Sequence, residues 1–135
     1  MDTRLICVSH GKFAKELIES AKMIAGGMDD ILVFSLMPGV SMPEFRAQIA
    51  AGLEQAVSEG AKRFLCLADL YGGTPSTALI SLIKDFDMEV VTGLNLAMLV
   101  EVYFAIQAGG DQDFAELAVK TLGESGRVVR PSDFE

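Results

Sequence analysis

A glycine turn beside an aspartate, together with a single histidine, makes up the part of this chain that is suited to handling phosphate. The stretch from Asp69 to Thr77, DLYGGTPST, follows an apolar run and leads into a helical pattern. Glycines at a strand-to-helix turn let the backbone approach an anion closely, and the first N–H groups of a helix have no internal partners. A carboxylate at the same turn disfavours an anion that is held permanently. Together these features predict a site that binds a phosphoryl group transiently and does not store phosphate.

His10, the only histidine, is the predicted phosphoryl acceptor. A neutral imidazole nitrogen is a nucleophile near pH 7, and a carboxylate bonded to the other nitrogen fixes the tautomer. If the strands that end at His10 and Asp69 are neighbours, the two side chains meet beside the glycine turn, where N–H groups and the Thr74 hydroxyl can stabilise a phosphoryl group. The candidate catalytic residues are therefore His10 and Asp69, and the candidate phosphate-binding residues are Gly72, Gly73, Thr74 and Ser9.

Each of these signals has a structural explanation as well. A lone histidine after a strand is often a loop residue bonded to the backbone, and an aspartate there often forms a turn or a cap. Their joint placement at one predicted sheet edge favours a functional site. The patterns GxxxxGK[ST], GxGxxG and GxSxG are absent, so nucleotide binding and serine hydrolysis gain no support. The alternative to a phosphoryl carrier is a non-catalytic regulatory or anion-binding module on the same fold.

Composition sets the broad class. A chain of 135 residues, half of them apolar, predicts one compact domain. The net charge of −8 argues against nucleic acid as a partner, because like charges repel. No signal-peptide pattern and no apolar run near ~20 residues is present, so we expect a cytoplasmic protein. Cys7 and Cys66 lie in apolar runs without metal-ligand spacing and are predicted to be buried thiols, and we expect no metal or cofactor.

Strand and helix patterns alternate along the chain. Apolar runs at residues 5–8, 31–36, 64–68 and 89–92 predict strands, and helical periodicity predicts helices at about 13–25, 43–60, 75–84, 96–107 and 112–124. Thr74 and Asn95 are predicted N-caps, with Pro75 as a first helical residue. Residues 127–130 are predicted as a short edge strand. This order predicts a single α/β domain with an open, mostly parallel sheet and helices on both faces.

Three motifs carry a resemblance to a known family. VSHG at residues 8–11, DLYGGTP at 69–75 and VTGLNLAML at 91–99 resemble the IIA component of the mannose/fructose/sorbose family of the bacterial phosphoenolpyruvate:sugar phosphotransferase system. The resemblance spans roughly residues 4–130. It implies a carrier that takes a phosphoryl group from the phosphohistidine of HPr and passes it to a IIB component. The IIB component phosphorylates sugar that enters through a membrane IIC/IID permease.

The resemblance also implies roles for residues and segments. His10 is the phosphorylated residue, Asp69 orients it, and Gly72, Gly73 and Thr74 line the phosphate position. The implied sheet order is 2-1-3-4, in a homodimer whose C-terminal antiparallel strand, residues 127–130, crosses to the other subunit, with helix 95–107 in the contact. The expected organisation is a IIA domain over residues 1–130, a tail at 131–135 and no fused IIB domain. Many relatives have proline where this chain has Ala97.

Overall fold

Four parallel strands form one sheet that places every strand's carboxyl end at the same edge. The computed structural model describes residues 3–135. The strands are β1 (Thr3–His10), β2 (Leu32–Leu36), β3 (Arg63–Ala68) and β4 (Met88–Thr92), in the order β2-β1-β3-β4. All three pairings are parallel. The predicted α/β class and the 2-1-3-4 order are confirmed, and β1 and β3 lie side by side.

Within residues 3–135, five α-helices connect and cover the strands. They are α1 (Phe13–Ala25), α2 (Met42–Ser58), α3 (Thr74–Ile80), α4 (Leu96–Ala108) and α5 (Phe114–Ser125). Asn95 caps α4 as predicted, since its side chain accepts a hydrogen bond from the Met98 N–H at 2.8 Å. Ala97 lies in the first turn of this regularly capped helix. None of the helices within residues 3–135 has both the length and the apolar character needed to cross a membrane.

The alternation of side chains along the strands divides the core into two halves. Leu5 and Cys7 of β1 pack with α1, α4 and α5, whereas Ile6 and Val8 pack with α2 and α3 on the opposite face. Such burial on both faces is typical of parallel sheets. Cys7 and Cys66 are buried free thiols, as predicted, and they belong to different halves of the core. Burial raises the pKa of the Cys7 thiol to about 12 and raises that of Cys66 as well.

The helix that follows the glycine turn is shorter than predicted. α3 ends at Ile80, about four residues early, and the chain continues in tight turns in which the Leu82 N–H donates to the Leu79 carbonyl at 2.9 Å. Ser81 follows the last helical residue, and its hydroxyl donates a hydrogen bond to the Ala78 carbonyl at 2.6 Å and accepts one from Nε of Arg46 at 2.9 Å. Serine side chains compete with the backbone for hydrogen bonds, which disfavours helix interiors. The helix therefore ends at this serine although the apolar periodicity continues.

The C-terminal segment also departs from the prediction. Residues 127–130 form no strand in this single chain, and Val128 and Val129 are exposed. The predicted edge strand is wrong for the isolated chain, because a strand needs a neighbour and none reaches this segment. The predicted tail, residues 131–135, contains a 3₁₀ turn, Pro131–Phe134. The Arg130 N–H donates to the Asp133 carboxylate at 2.9 Å and holds this turn.

We expect Asn95→Ala to lower the free energy of unfolding by about 1 kcal/mol, since it removes the N-cap of α4. It also removes the hydrogen bond from the Asn95 amide to the Ser125 hydroxyl, 3.1 Å, which links α4 to the end of α5. Urea denaturation followed by circular dichroism measures the change. Gln107→Ala, an exposed change in the same helix, should stay within about 0.5 kcal/mol of wild type. Equal effects of the two substitutions would contradict the cap assignment.

Candidate active site

The carboxyl ends of β1 and β3 bring a histidine and an aspartate into direct contact. The strands pair in parallel register with Val8 opposite Ala68, so the residues that follow converge at one edge. Nδ1 of His10 lies 2.8 Å from Oδ2 of Asp69, and the His10 backbone N–H donates to the same oxygen at 2.9 Å. The two residues stand 59 positions apart in the chain. The structure thus joins the pair of side chains that the sequence places at one sheet edge.

Asp69 is held as a carboxylate by hydrogen-bond donors on both of its oxygens. Its side chain is only 12% exposed, while its Oδ1 accepts from the Leu70 N–H at 2.8 Å. Burial raises the pKa of this carboxyl, but the hydrogen bonds from His10 and Leu70 outweigh burial, so the pKa lies below its ordinary value. An ionised carboxylate only accepts hydrogen bonds. The proton in the contact with His10 therefore sits on Nδ1, which leaves the lone pair on Nε2.

The outer edge of the imidazole is open to solvent and lies against the glycine turn. The His10 side chain is 49% exposed, and Nε2 has no hydrogen-bond partner within residues 3–135. A Cβ atom at Gly73 would lie 2.8 Å from Cε1 and 3.4 Å from Nε2 of this ring. Any side chain at residue 73 would therefore push the ring or the turn away. Nε2 of His10 and the backbone of the turn are immediate neighbours.

The glycine turn is closed by a serine that the sequence reasoning missed. Gly73, not Thr74, is the N-cap of α3, and no side-chain bond comes from the cap residue itself. Instead, the hydroxyl of Ser76 accepts from the Gly72 N–H at 3.1 Å and donates to the Gly73 carbonyl at 3.1 Å. The predicted capping role of Thr74 is wrong, because Thr74 is already the first helical residue. A serine within reach of the turn's backbone was the available signal.

Backbone N–H groups of the turn and of the start of α3 remain open to a ligand. The N–H groups of Gly73 and Thr74 make no hydrogen bond within the part of the chain that the structure describes, whereas the Gly72 N–H is engaged by Ser76. Gly72 has φ +85°, a backbone conformation that residues other than glycine rarely adopt. Of the predicted phosphate-binding residues, Gly73 and Thr74 therefore offer free donors, and Gly72 contributes the shape of the turn.

Ser9 lies beneath the site instead of lining it. Its side chain is fully buried, and its hydroxyl accepts from the Ala14 N–H at 2.8 Å and donates to the Gly11 carbonyl at 3.1 Å. Ser9 thereby joins the end of β1 to the start of α1 around His10. The hydroxyl that the sequence placed near phosphate holds the backbone that carries the histidine.

Exposed apolar side chains surround the site. Leu70 and Tyr71 follow Asp69 directly and are 61% and 82% exposed. Met37, after the end of the neighbouring strand β2, is also exposed. Exposed apolar patches on soluble proteins often mark contacts with other proteins. Within residues 3–135, no cluster of three or more His, Cys, Asp or Glu side chains is arranged to hold a metal ion.

A family model and curated proteins match this chain along its length. The model described as EIIA-man, PTS system fructose IIA component, matches residues 4–119. The mannose-specific EIIAB component of the phosphotransferase system of Escherichia coli K12 is 29% identical over 143 residues, which cover all of this chain. This chain spans only 42% of the length of that relative. The fructose-specific EIIA component of Bacillus subtilis is 31% identical over 73% of this chain and 66% of its own length.

Solved structures share the fold. The mannose/sorbose-specific IIA subunit from Enterococcus faecalis superimposes with a TM-score of 0.83 and 28% identity, over 96% of each chain. A IIA component from Streptococcus agalactiae gives a TM-score of 0.78 with 26% identity, over 97% of this chain and 98% of its own. In each comparison the similarity thus covers nearly the whole of this chain and of the solved structure.

We expect His10→Ala to raise the pKa of Asp69, since the variant loses the ring hydrogen bond and keeps the burial. Because the folded-state pKa of Asp69 is depressed, its contribution to stability is complete above the ordinary value of about 3.9 and is lost as the pH falls through the lower folded value. Titration of the carboxyl carbon by NMR measures the shift. Tyr71→Phe, an exposed change nearby, should leave the titration as in wild type. An Asp69 titration that is identical in His10→Ala and wild type would refute the coupling.

Proposed function

Because this chain belongs to the EIIA-man family, the PTS system fructose IIA components, we propose that it is a cytoplasmic phosphoryl carrier that uses His10. The resemblance carried by the three sequence motifs is confirmed by this family match. In the proposed reaction the donor is the phosphohistidine of HPr and the acceptor is a IIB component, which phosphorylates sugar entering through a IIC/IID permease. The contact between Nδ1 of His10 and Asp69 at 2.8 Å is the observation that carries the proposal.

The proposed step is an in-line displacement at phosphorus. The lone pair on Nε2 of His10 forms the new N–P bond, the N–P bond to HPr breaks, and its electron pair returns to the HPr imidazole. The His10 ring gains positive charge, which Asp69 stabilises through the proton on Nδ1. Phosphoryl transfer asks mainly for positioning and charge stabilisation, and the N–H groups of Gly73 and Thr74 can supply both beside the ring. Transfer to IIB is the same displacement with His10 as the leaving group.

We propose that two copies of the chain associate through the C-terminal segment. β4 is an edge strand of the described sheet, and residues 127–130 lie unpaired with Val128 and Val129 exposed. Unpaired edges are templates for strand addition from another chain. Next to the apolar helix α4, a groove of about 720 Å³ is lined in part by Ile24, Leu96 and Val100. A strand from the partner copy would pair with the open edge of β4, and an apolar contact between the copies would cover the groove beside α4.

Phosphorylation in vitro tests the carrier role. Wild-type protein incubated with phosphoenolpyruvate, Enzyme I and HPr should acquire an acid-labile, alkali-stable phosphate, and His10→Ala should acquire none. Asp69→Asn should slow transfer by about 100-fold or more, because the amide favours the wrong tautomer, while the KM for phospho-HPr stays near wild type. Asp85→Asn, the same change at an exposed carboxylate that pairs with Arg46, is the matched control.

Three results would contradict this assignment. Labelling of His10→Ala at the wild-type level would show that another residue is the acceptor. Equal losses of binding and transfer in Asp69→Asn would argue against an orienting role for Asp69. A wild-type protein that takes no label but binds HPr or inorganic phosphate would favour the regulatory or anion-binding module instead.

Removal of residues 127–135 should convert the proposed dimer into a monomer, because it deletes the strand that would cross between subunits. Sedimentation velocity at several protein concentrations measures the change. Removal of residues 131–135 alone deletes the 3₁₀ turn and keeps the strand segment, so this control should remain dimeric. A sedimentation profile unchanged by the longer deletion rules out strand exchange.

A further inference from the structure

Two serines are the buried polar side chains of the described chain, and both serve the turns that flank one imidazole. Ser9 and Ser76 are each fully buried. Ser9 bonds the backbone on either side of the turn that follows His10, as described above. Ser76 bonds the backbone of the glycine turn that touches the His10 ring. Buried hydroxyls are costly unless both of their hydrogen-bonding roles are satisfied, and here each donates one bond and accepts another.

Ser76 shapes the glycine turn from inside the helix. Its hydroxyl takes the Gly72 N–H and gives its own proton to the Gly73 carbonyl, each at 3.1 Å. That carbonyl also accepts the Thr77 N–H at 3.0 Å, the first bond of the helix. The Gly72 and Gly73 peptide groups are thereby tied to the first turn of α3. Glycine would otherwise leave this segment conformationally free.

The same bonds decide which N–H groups a phosphoryl group can use. Ser76 occupies the Gly72 N–H, while the Gly73 and Thr74 N–H groups stay unpartnered within the described residues. The backbone of Gly73 lies against the ring, since a Cβ at this residue would be 2.8 Å from Cε1 of His10. The open donors therefore include the N–H group of the residue beside the His10 ring and that of the residue after it.

We propose that Ser76 is a positioning residue for phosphoryl transfer at His10, a role that rests on the proposed function. Its hydroxyl holds the turn in the conformation in which the Gly73 and Thr74 N–H groups meet the phosphoryl group on Nε2. It also withholds the Gly72 N–H from that group. The hydroxyl of Ser76 is engaged by the backbone of the turn and forms no hydrogen bond with the ring, so Ser76 acts through the turn.

Ser76→Ala tests the role by steady-state transfer from phospho-HPr. The variant should lower kcat about tenfold, because misplacing groups by an ångström can cost up to about 100-fold in rate. The KM for phospho-HPr should change little, since the outer surface is intact. Ser76→Thr, which restores a hydroxyl, should recover most of the lost rate. Ser58→Ala removes a serine that bonds the Gln55 carbonyl of α2 and should leave both constants unchanged.

Amide NMR distinguishes a role of Ser76 in positioning the N–H groups of the turn from a role in protein stability alone. On phosphorylation of wild type, the Gly73 and Thr74 amide protons should move downfield while the Gly72 amide proton stays. In Ser76→Ala the Gly72 amide proton should move as well. Before phosphorylation, the Gly72 amide should exchange with solvent about tenfold faster in Ser76→Ala than in wild type, an effect that needs no phosphoryl transfer.

The outcomes distinguish this proposal from the one on which it rests. Wild-type protein that takes no label overturns the proposed function. Labelled wild type together with an equally active Ser76→Ala, even one with a lower melting temperature, overturns only the role of Ser76. A Gly72 amide that exchanges equally fast in both proteins, or that shifts on phosphorylation of wild type, also overturns it.

Discussion

The hydrogen bond between Nδ1 of His10 and the Asp69 carboxylate is the contact on which the site depends. It joins residues 59 positions apart, and it exists because β1 and β3 are adjacent in the order β2-β1-β3-β4. The same carboxylate accepts a hydrogen bond from the His10 backbone N–H, so it fixes the orientation of the ring and the position of the main chain that carries it. Burial of both sheet faces fixes the register of these strands, because a slip by one residue would move the side chains of each face to the other half of the core.

The glycine turn complements this contact from the other side of the ring. Gly73 permits an approach that no side chain would allow, and Ser76 ties the turn to α3. Ser9 fixes the start of α1 in a similar manner. The imidazole is thus positioned by three separate segments, at the end of β1, at the end of β3 and at the start of α3. Function at such a site comes from the geometry of the strand ends and less from any single residue.

The sequence predicted the elements well where periodicity and turn residues agreed. Alternating apolar runs and helical stripes identified all four strands and five helices, and their order placed His10 and Asp69 at one edge. Periodicity failed where a local hydrogen bond overrode it, as at Ser81, where α3 ends early. The sequence shows a serine close to the glycine turn at residue 76, but it does not show which backbone groups the hydroxyl contacts, so the role of Ser76 emerges only from the structure. Residues 127–130 look like a strand in composition, but pairing depends on a partner that a single sequence does not specify.

The half-exposed setting of His10 has a further consequence for how long a phosphorylated carrier survives. A phosphoryl group on Nε2 would stand on the open side of the ring, where solvent can attack it. Solvolysis speeds up when a nearby base deprotonates the attacking water. Asp69 is a poor base for that purpose, because hydrogen bonds engage both of its oxygens and keep its pKa low. In the proposed carrier, the contacts that orient the His10 ring would therefore also slow the hydrolysis of its phosphoryl group between receipt from the donor and transfer to the acceptor.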